Sequence, residues 1–150
     1  MIKLNKITDY AVVILSLLSS RTPNKFSTSK ISSDTGLSIH TVAKVCKLLN
    51  NANLIQAGRG AHGGYFCETP PSDISVAVIV EAIDGPIAIT ACIEESEDLC
   101  DTQSICLLSG NWNKANNAIL DALKSVTLSD LLNPDDFFSH KNSDTSVIHT

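Results

Sequence analysis

Apolar residues recur at helical spacing from the start of the chain. Ile7, Tyr10, Ala11, Ile14, Leu17 and Leu18 share one face of a helix predicted over about residues 6–19, with Asn5 placed to cap it. A turn containing Pro23 follows. Ser27 can accept from the free amides of a second, short helix reaching about Asp34, and Gly36 supplies the left-handed residue that ends it. Ser38 then caps a third helix over residues 39–51. Two helices joined by a tight glycine-containing turn are the helix-turn-helix pattern.

The third helix has two faces. Val42, Val45, Cys46 and Leu49 make the apolar one, while His40, Lys44, Lys47 and Asn51 form a stripe of donors with Thr41 beside it. Cations for phosphate and amide or hydroxyl groups for base edges are what a major-groove reader needs. Leu54 to Ala57 and Tyr65 to Glu68 read as strands around the tip Gly58-Arg59-Gly60-Ala61-His62-Gly63-Gly64, a hairpin wing. Its glycines let backbone approach a surface closely, and Arg59 suits a minor groove. The tip lacks a Gly-Lys-Ser/Thr ending, so it is not read as a nucleotide-binding loop. The candidate DNA-binding set is Ser38, His40, Thr41, Lys44, Lys47, Arg59 and His62.

Pro70-Pro71-Ser72 breaks the chain. Val76, Ile79, Val80 and Ile83 then stripe a fourth helix capped by Ser75 and stopped by Asp84-Gly85-Pro86. A long helix is expected over about residues 110–126, with Trp112, Ala115, Ile119, Ala122, Leu123 and Val126 along one side. No further element follows to cover that stripe, so it is expected to pack against a second copy of the chain. Residues after Asn133 are polar and aperiodic apart from Phe137 and Phe138, and read as a flexible tail. The expected fold is mainly α with a small β-hairpin wing. Residues 1–68 form a winged helix-turn-helix, 69–132 a cysteine loop and dimerisation helix, and 133–150 the tail.

Charge sharpens this division. The net charge is −5, yet residues 1–66 carry eight Lys or Arg against two acids, a net of +6, leaving three bases and fourteen acids, a net of −11, in the remainder. A basic half joined to an acidic half suits a phosphate-binding lobe coupled to one that avoids phosphate. No apolar run reaches the roughly 18 residues of a membrane span, and the start lacks a signal peptide's cleavage site, so a cytoplasmic location is expected. Five cysteines, an odd number, argue against a disulfide framework in a reducing compartment.

Three of those cysteines, Cys92, Cys100 and Cys106, lie in a loop with Glu94, Glu95, Glu97, Asp98 and Asp101. The spacing lets all three sulfurs reach one inorganic centre, one ligand short of the usual four. Carboxylates disfavour thiolate, which opposes a catalytic nucleophile, whereas a bound iron supplies its own positive charge. Cys46 reads as core and Cys67 as strand packing.

Thr8-Asp9-Tyr10-Ala11, Thr35-Gly36-Leu37, Arg59-Gly60-Ala61-His62-Gly63-Gly64-Tyr65, Ile83-Asp84-Gly85-Pro86 and the three cysteines resemble the winged-helix iron-sulfur regulators, the group of the Isc-system regulator and the nitric-oxide-sensing nitrite repressor. Gly85-Pro86-Ile87-Ala88-Ile89-Thr90, Asn111-Trp112 and Val126-Thr127-Leu128 are most similar to the regulator of SUF-system iron-sulfur assembly. The resemblance spans about residues 1–132. It implies a homodimeric regulator, a repressor with room for an activating mode, that binds a near-palindromic double-stranded DNA operator and carries a 2Fe-2S or 4Fe-4S cluster on Cys92, Cys100 and Cys106.

The resemblance also frames the fourth ligand. The Isc regulator uses a His three residues after the last cysteine, and Ser109 stands there in this chain, a poor iron ligand. The nitric-oxide sensor uses an Asp of the partner's first helix, which corresponds to Asp9, an acid that also suits its helix dipole. Glu97, Asp98, Asp101, an exogenous thiol or an open iron are the alternatives. Two other functions stay open: a winged-helix regulator sensing oxidants or nitric oxide through thiols or another metal, and an iron-sulfur carrier or thiol oxidoreductase. The last lacks a Cys-x-x-Cys pair and leaves the basic half unexplained.

Overall fold

The computed structural model describes residues 3–91, 93, 101, 105–108 and 110–133. Helix α1 (Lys6–Ser20) starts where the Asn5 side chain accepts from the Ile7 amide at 3.1 Å. Helices α2 (Thr28–Thr35) and α3 (Ile39–Asn51) have matching serine caps, Ser27 accepting from the Lys30 amide and Ser38 from the Thr41 amide. Gly36 closes α2 at φ +76, a conformation costly to any residue with a Cβ. Ser32 then donates to the Leu37 carbonyl at 2.6 Å, stiffening the turn between the two helices.

The wing is an antiparallel pair, β1 (Gln56–Gly58) and β2 (Gly64–Phe66), in register Gln56 to Phe66 and Gly58 to Gly64. It sits one to two residues off the predicted strands at each end. Helix α3 ends at Asn51 as predicted, but Asn53 turns left-handed at φ +59 and the Leu54 amide bonds the Leu49 carbonyl, so the chain is still closing off the helix where the first strand was expected. Past β2, Cys67 drops into the core, and its carbonyl accepts from the Thr22 hydroxyl at 2.8 Å. Phe26 pairs with Tyr65 through bonds of 2.9 and 2.8 Å, fastening the wing to the segment before α2.

Helix α4 (Val76–Asp84), capped by Ser75, packs on α1 and α3. Its last residue, Asp84, accepts from Asn5 at 3.3 Å and from the buried Thr8 hydroxyl at 3.2 Å. The end of α4 is thereby fastened to the first turn of α1. The long helix, α5 (Asn113–Ser125), is shorter than the sequence implies. Gly110, at φ +80, holds the chain in turns before it, and Val126 is extended because its carbonyl accepts from the Val76 amide at 2.8 Å.

A sixth helix, α6 (Leu128–Leu132), was not anticipated, although Thr127 and Asp130 form a reciprocal capping box that is visible in the sequence. The Thr127 amide and hydroxyl hold the Asp130 carboxyl below its ordinary range. The Leu128 amide bonds the Ile74 carbonyl at 2.7 Å and its side chain is fully buried.

One core therefore runs from α1 (Ala11, Ile14, Leu15, Leu18) through Ile31, Val42, Val45 and Leu49 to Ile79 and Leu128. Each buried Leu or Ile contributes about 1.5–3 kcal/mol of transfer free energy. This core sets the angle at which α3 and the wing project. Among the described residues, no helix is long and apolar enough to cross a membrane.

Candidate nucleic-acid interface and cysteine site

Helix α3 turns Val42, Val45, Cys46 and Leu49 inward at 0% exposure, so His40, Lys44, Lys47 and Asn51 face solvent along its opposite side. The predicted polar stripe is therefore a real surface. At its N-terminal end, Ser38 accepts from the Thr41 amide and donates to Thr41 Oγ1 at 2.9 Å. Those two hydroxyls are partly committed to the helix cap. Arg59 and His62 are both exposed at the wing tip.

Lys25 also belongs to this surface, and the helix pattern alone does not reveal it. Its ammonium stands 5.4 Å from the centre of the Phe66 ring, a cation–π distance. Its stem lies so close to Gly58 that a Cβ there would meet Lys25 Nζ at 2.9 Å. Pro23, Asn24, Lys25, Ser27, Lys30, His62 and Gly63 line one cleft between the wing and the start of α2. Of the two lysines in this cleft, Lys30 is engaged by Asp34 at 2.8 Å and Lys25 is the one that rests on the wing. Gly58→Ala is expected to displace that flexible side chain, weakening DNA binding about two- to threefold with an unchanged melting temperature, because only one phosphate-reaching cation is disturbed. Filter binding beside a thermal melt checks both.

The cysteines divide sharply. Cys46 and Cys67 are fully buried. Burial pushes the Cys46 thiol up to about 12. Cys67 is also raised, chiefly by burial, which outweighs a lowering backbone bond with Thr69 and is joined by a smaller push from Glu68. Both are neutral thiols at physiological pH and act as core, as their positions in the sequence imply. Cys106 is half-buried and reachable. Cys92, Cys100, Ser109, Glu97 and Asp98 lie outside the described residues, while Asp101 is exposed. Asp9 projects from the first turn of α1, exposed, beside the Thr8 that bonds Asp84. The described residues do not by themselves assemble a cluster of metal-binding side chains.

The segment leading to Cys92 is held from the other side by α5. Asn116, only 1% exposed, accepts from the Ile89 amide at 3.1 Å and donates to the Ile87 carbonyl at 2.9 Å. An asparagine within a helix gives no sequence signal for such a role, since it reads as a solvent-facing position. Trp112, Ala115, Ala122 and Val126, from the apolar stripe of α5, remain exposed, while Ile119 and Leu123 are half-covered.

The Rrf2 family, described as iron-dependent transcriptional regulators, matches residues 4–134. The chain belongs to the Rrf2 family. The HTH-type transcriptional regulator NsrR of Bacillus subtilis is 29% identical over 131 residues, covering 87% of this chain and 90% of NsrR. The solved structure of CymR, the global cysteine regulator of Bacillus subtilis, superposes with a TM-score of 0.62 at 26% identity, covering 87% of this chain and 96% of that one. IscR of T. potens gives a TM-score of 0.58 at 25% identity, covering 99% of this chain and 93% of that one. As an Rrf2 protein, the chain is a DNA-binding transcriptional regulator and not an enzyme.

Proposed function

We propose that the protein is a homodimeric, cluster-sensing repressor that controls iron-sulfur assembly genes of the SUF type. Residues 1–68 serve as its DNA-reading unit and 69–132 as its sensing and dimerising unit. The observation that carries this reading is the partition of the thiols. Cys46 and Cys67 are sealed in the core, which leaves the loop cysteines for a ligand, on a chain whose other end exposes a cationic reading face.

The donors fit an iron-sulfur cluster in kind: Cys106 is a reachable thiol and Asp9 an exposed carboxylate. Cys92 and Cys100 complete the thiolate set, with Asp9 of the partner subunit as the fourth ligand. When bound, a cluster supplies a charged, rigid crosslink. The residues of the chain do the coupling. Thr8 and Asn5 hold Asp84 at the root of the loop, and Asn116 holds the segment beyond it, so a change in the loop is transmitted to the first turn of α1 and to α5. The uncovered stripe of α5 supports pairing of two copies.

Anaerobic purification, with iron and sulfide analysis of wild type beside Asp9→Ala, tests the reading. Wild type is expected to be coloured and Asp9→Ala to hold its cluster more weakly; a colourless, iron-free wild type sinks it. Lys44→Ala and Arg59→Ala are each expected to weaken operator binding about three- to tenfold. For Lys44→Ala the salt dependence should also fall by about one phosphate contact per subunit. Unchanged binding in both variants rejects the assignment of stripe and wing.

A second reading is a winged-helix regulator that senses oxidants or nitric oxide through thiols or another metal. The likeness to CymR supports it, because a Staphylococcus aureus CymR structure of similar fold was solved in an oxidized form. Absence of iron and sulfide from protein that still binds DNA selects this second reading.

A further inference from the structure

The first turn of α3 exposes a side chain that the polar stripe does not explain. Ile39 is 49% exposed, and Ala43, one turn further along, is exposed as well. At 100° per residue Ile39 lies beside Cys46 at the edge of the buried face, and Ala43 and then Lys47 step round from it toward the stripe that holds His40 and Lys44. Ile39 and Ala43 thus border the polar stripe, at the edge of the face that buries Val42, Cys46 and Leu49, and Ile39 keeps half of its surface open there.

Among the described residues, Ile39 has no structural task to account for it. The apolar contact across a helix start joins the residue before the cap to the fourth helical residue. Here those are Leu37, which packs on the core, and the fully buried Val42. Ile39 is not among the residues packed on that core. A β-branched residue also adds nothing to helix propensity at an exposed position. Ser38 and Thr41 on either side turn their hydroxyls toward each other, so the outward surface of this turn is His40 flanked by apolar groups.

The N-terminal residues of a recognition helix are those that meet base edges. In the major groove the one apolar group on a base edge is the 5-methyl of thymine. The cations that flank Ile39 and Ala43 favour DNA over a protein surface as the occupant. Resting on the reading of this chain as a DNA-binding regulator, we infer that Ile39, with Ala43 beside it, reads a thymine in each operator half-site through its 5-methyl group. Ile39 is a specificity-determining residue, distinct from the lysines that contribute affinity without sequence preference.

The test uses the full chain. Duplexes bound by wild type are selected from a random library, resynthesised with deoxyuridine replacing one thymidine at a time, and titrated at fixed salt. At one position per half-site, removal of the methyl is expected to weaken wild type about fourfold, the transfer free energy of one such group. Ile39→Ala, which should melt at the wild-type temperature, is expected to bind the thymine duplex as weakly as wild type binds the uracil duplex, and to lose nothing further on substitution. Lys47→Ala should bind more weakly overall but keep the full sensitivity to the methyl. Indifference of wild type to every substitution, or equal sensitivity in Ile39→Ala, overturns the inference while leaving DNA binding intact. An altered oligomeric state of Ile39→Ala places the residue in a protein contact and overturns it as well. Recovery of no DNA removes the regulator reading itself, and this inference with it.

Discussion

Cys106→Ser is expected to leave anaerobic purification colourless and free of iron, with its melting behaviour otherwise that of a wild-type chain stripped of metal. Cys106 is half-buried in a loop and lies outside the core that links α1, α3, α4 and α6, so the change from sulfur to oxygen disturbs no packing. On the proposed cluster reading it removes a soft sulfur donor, and a neutral hydroxyl does not replace one on iron. Cys46→Ser should behave in the opposite way. Its thiol is fully buried and pushed up to about 12, so a hydroxyl there enters an apolar pocket and destabilises the fold by about 1–3 kcal/mol, while the colour is kept. Iron content and thermal melts of the two variants, side by side, separate ligation from packing. Retention of iron by Cys106→Ser removes that residue from the ligand set.

Gly64→Ala is expected to detach the wing. Gly64 has φ +156, and a Cβ built on it would stand 2.6 Å from the Phe26 carbonyl oxygen and 2.7 Å from its carbon. Both are backbone atoms of the bridge that fastens β2 to the segment before α2, so neither can move aside as a side chain could. The expected cost is about 2 kcal/mol or more, combining strain at this φ with loss of the two Phe26–Tyr65 hydrogen bonds. Denaturant unfolding measures the stability loss. DNA binding should fall more than in Arg59→Ala, since Arg59, His62 and Lys25 all depend on the wing's position. Gly60→Ala is the contrast, because its Cβ meets nothing within 4 Å, although its φ of +94 still adds strain. Wild-type stability in Gly64→Ala would show that the bridge does not anchor the wing.

Much of the architecture was legible because it rests on local chemistry. Asn5, Ser27, Ser38 and Ser75 all cap the helices they precede, since a side-chain oxygen beside free amides acts within one turn of chain. The two faces of α3 followed from the 3.6-residue period, and burial agrees with them residue by residue. Strand ends were displaced because Asn53 adopts a left-handed turn that apolar spacing does not record. The sixth helix went unread despite its capping box, being too short for periodicity to register.

By itself, the sequence determined the order of the first five helices and the hairpin, the separation of a basic from an acidic half, and which face of α3 is turned outward. Each depends on residues a few positions apart, where spacing and side-chain chemistry suffice. Only the tertiary structure decided that Asp84 ties the end of α4 to Asn5 and Thr8, that Asn116 grips the segment before Cys92, that Lys25 rests on the wing over Phe66, and that Ile39 is left uncovered. These contacts join positions up to 79 residues apart or depend on what fails to cover a side chain, and neither is encoded in local spacing. Packing of the shared core sets those distances.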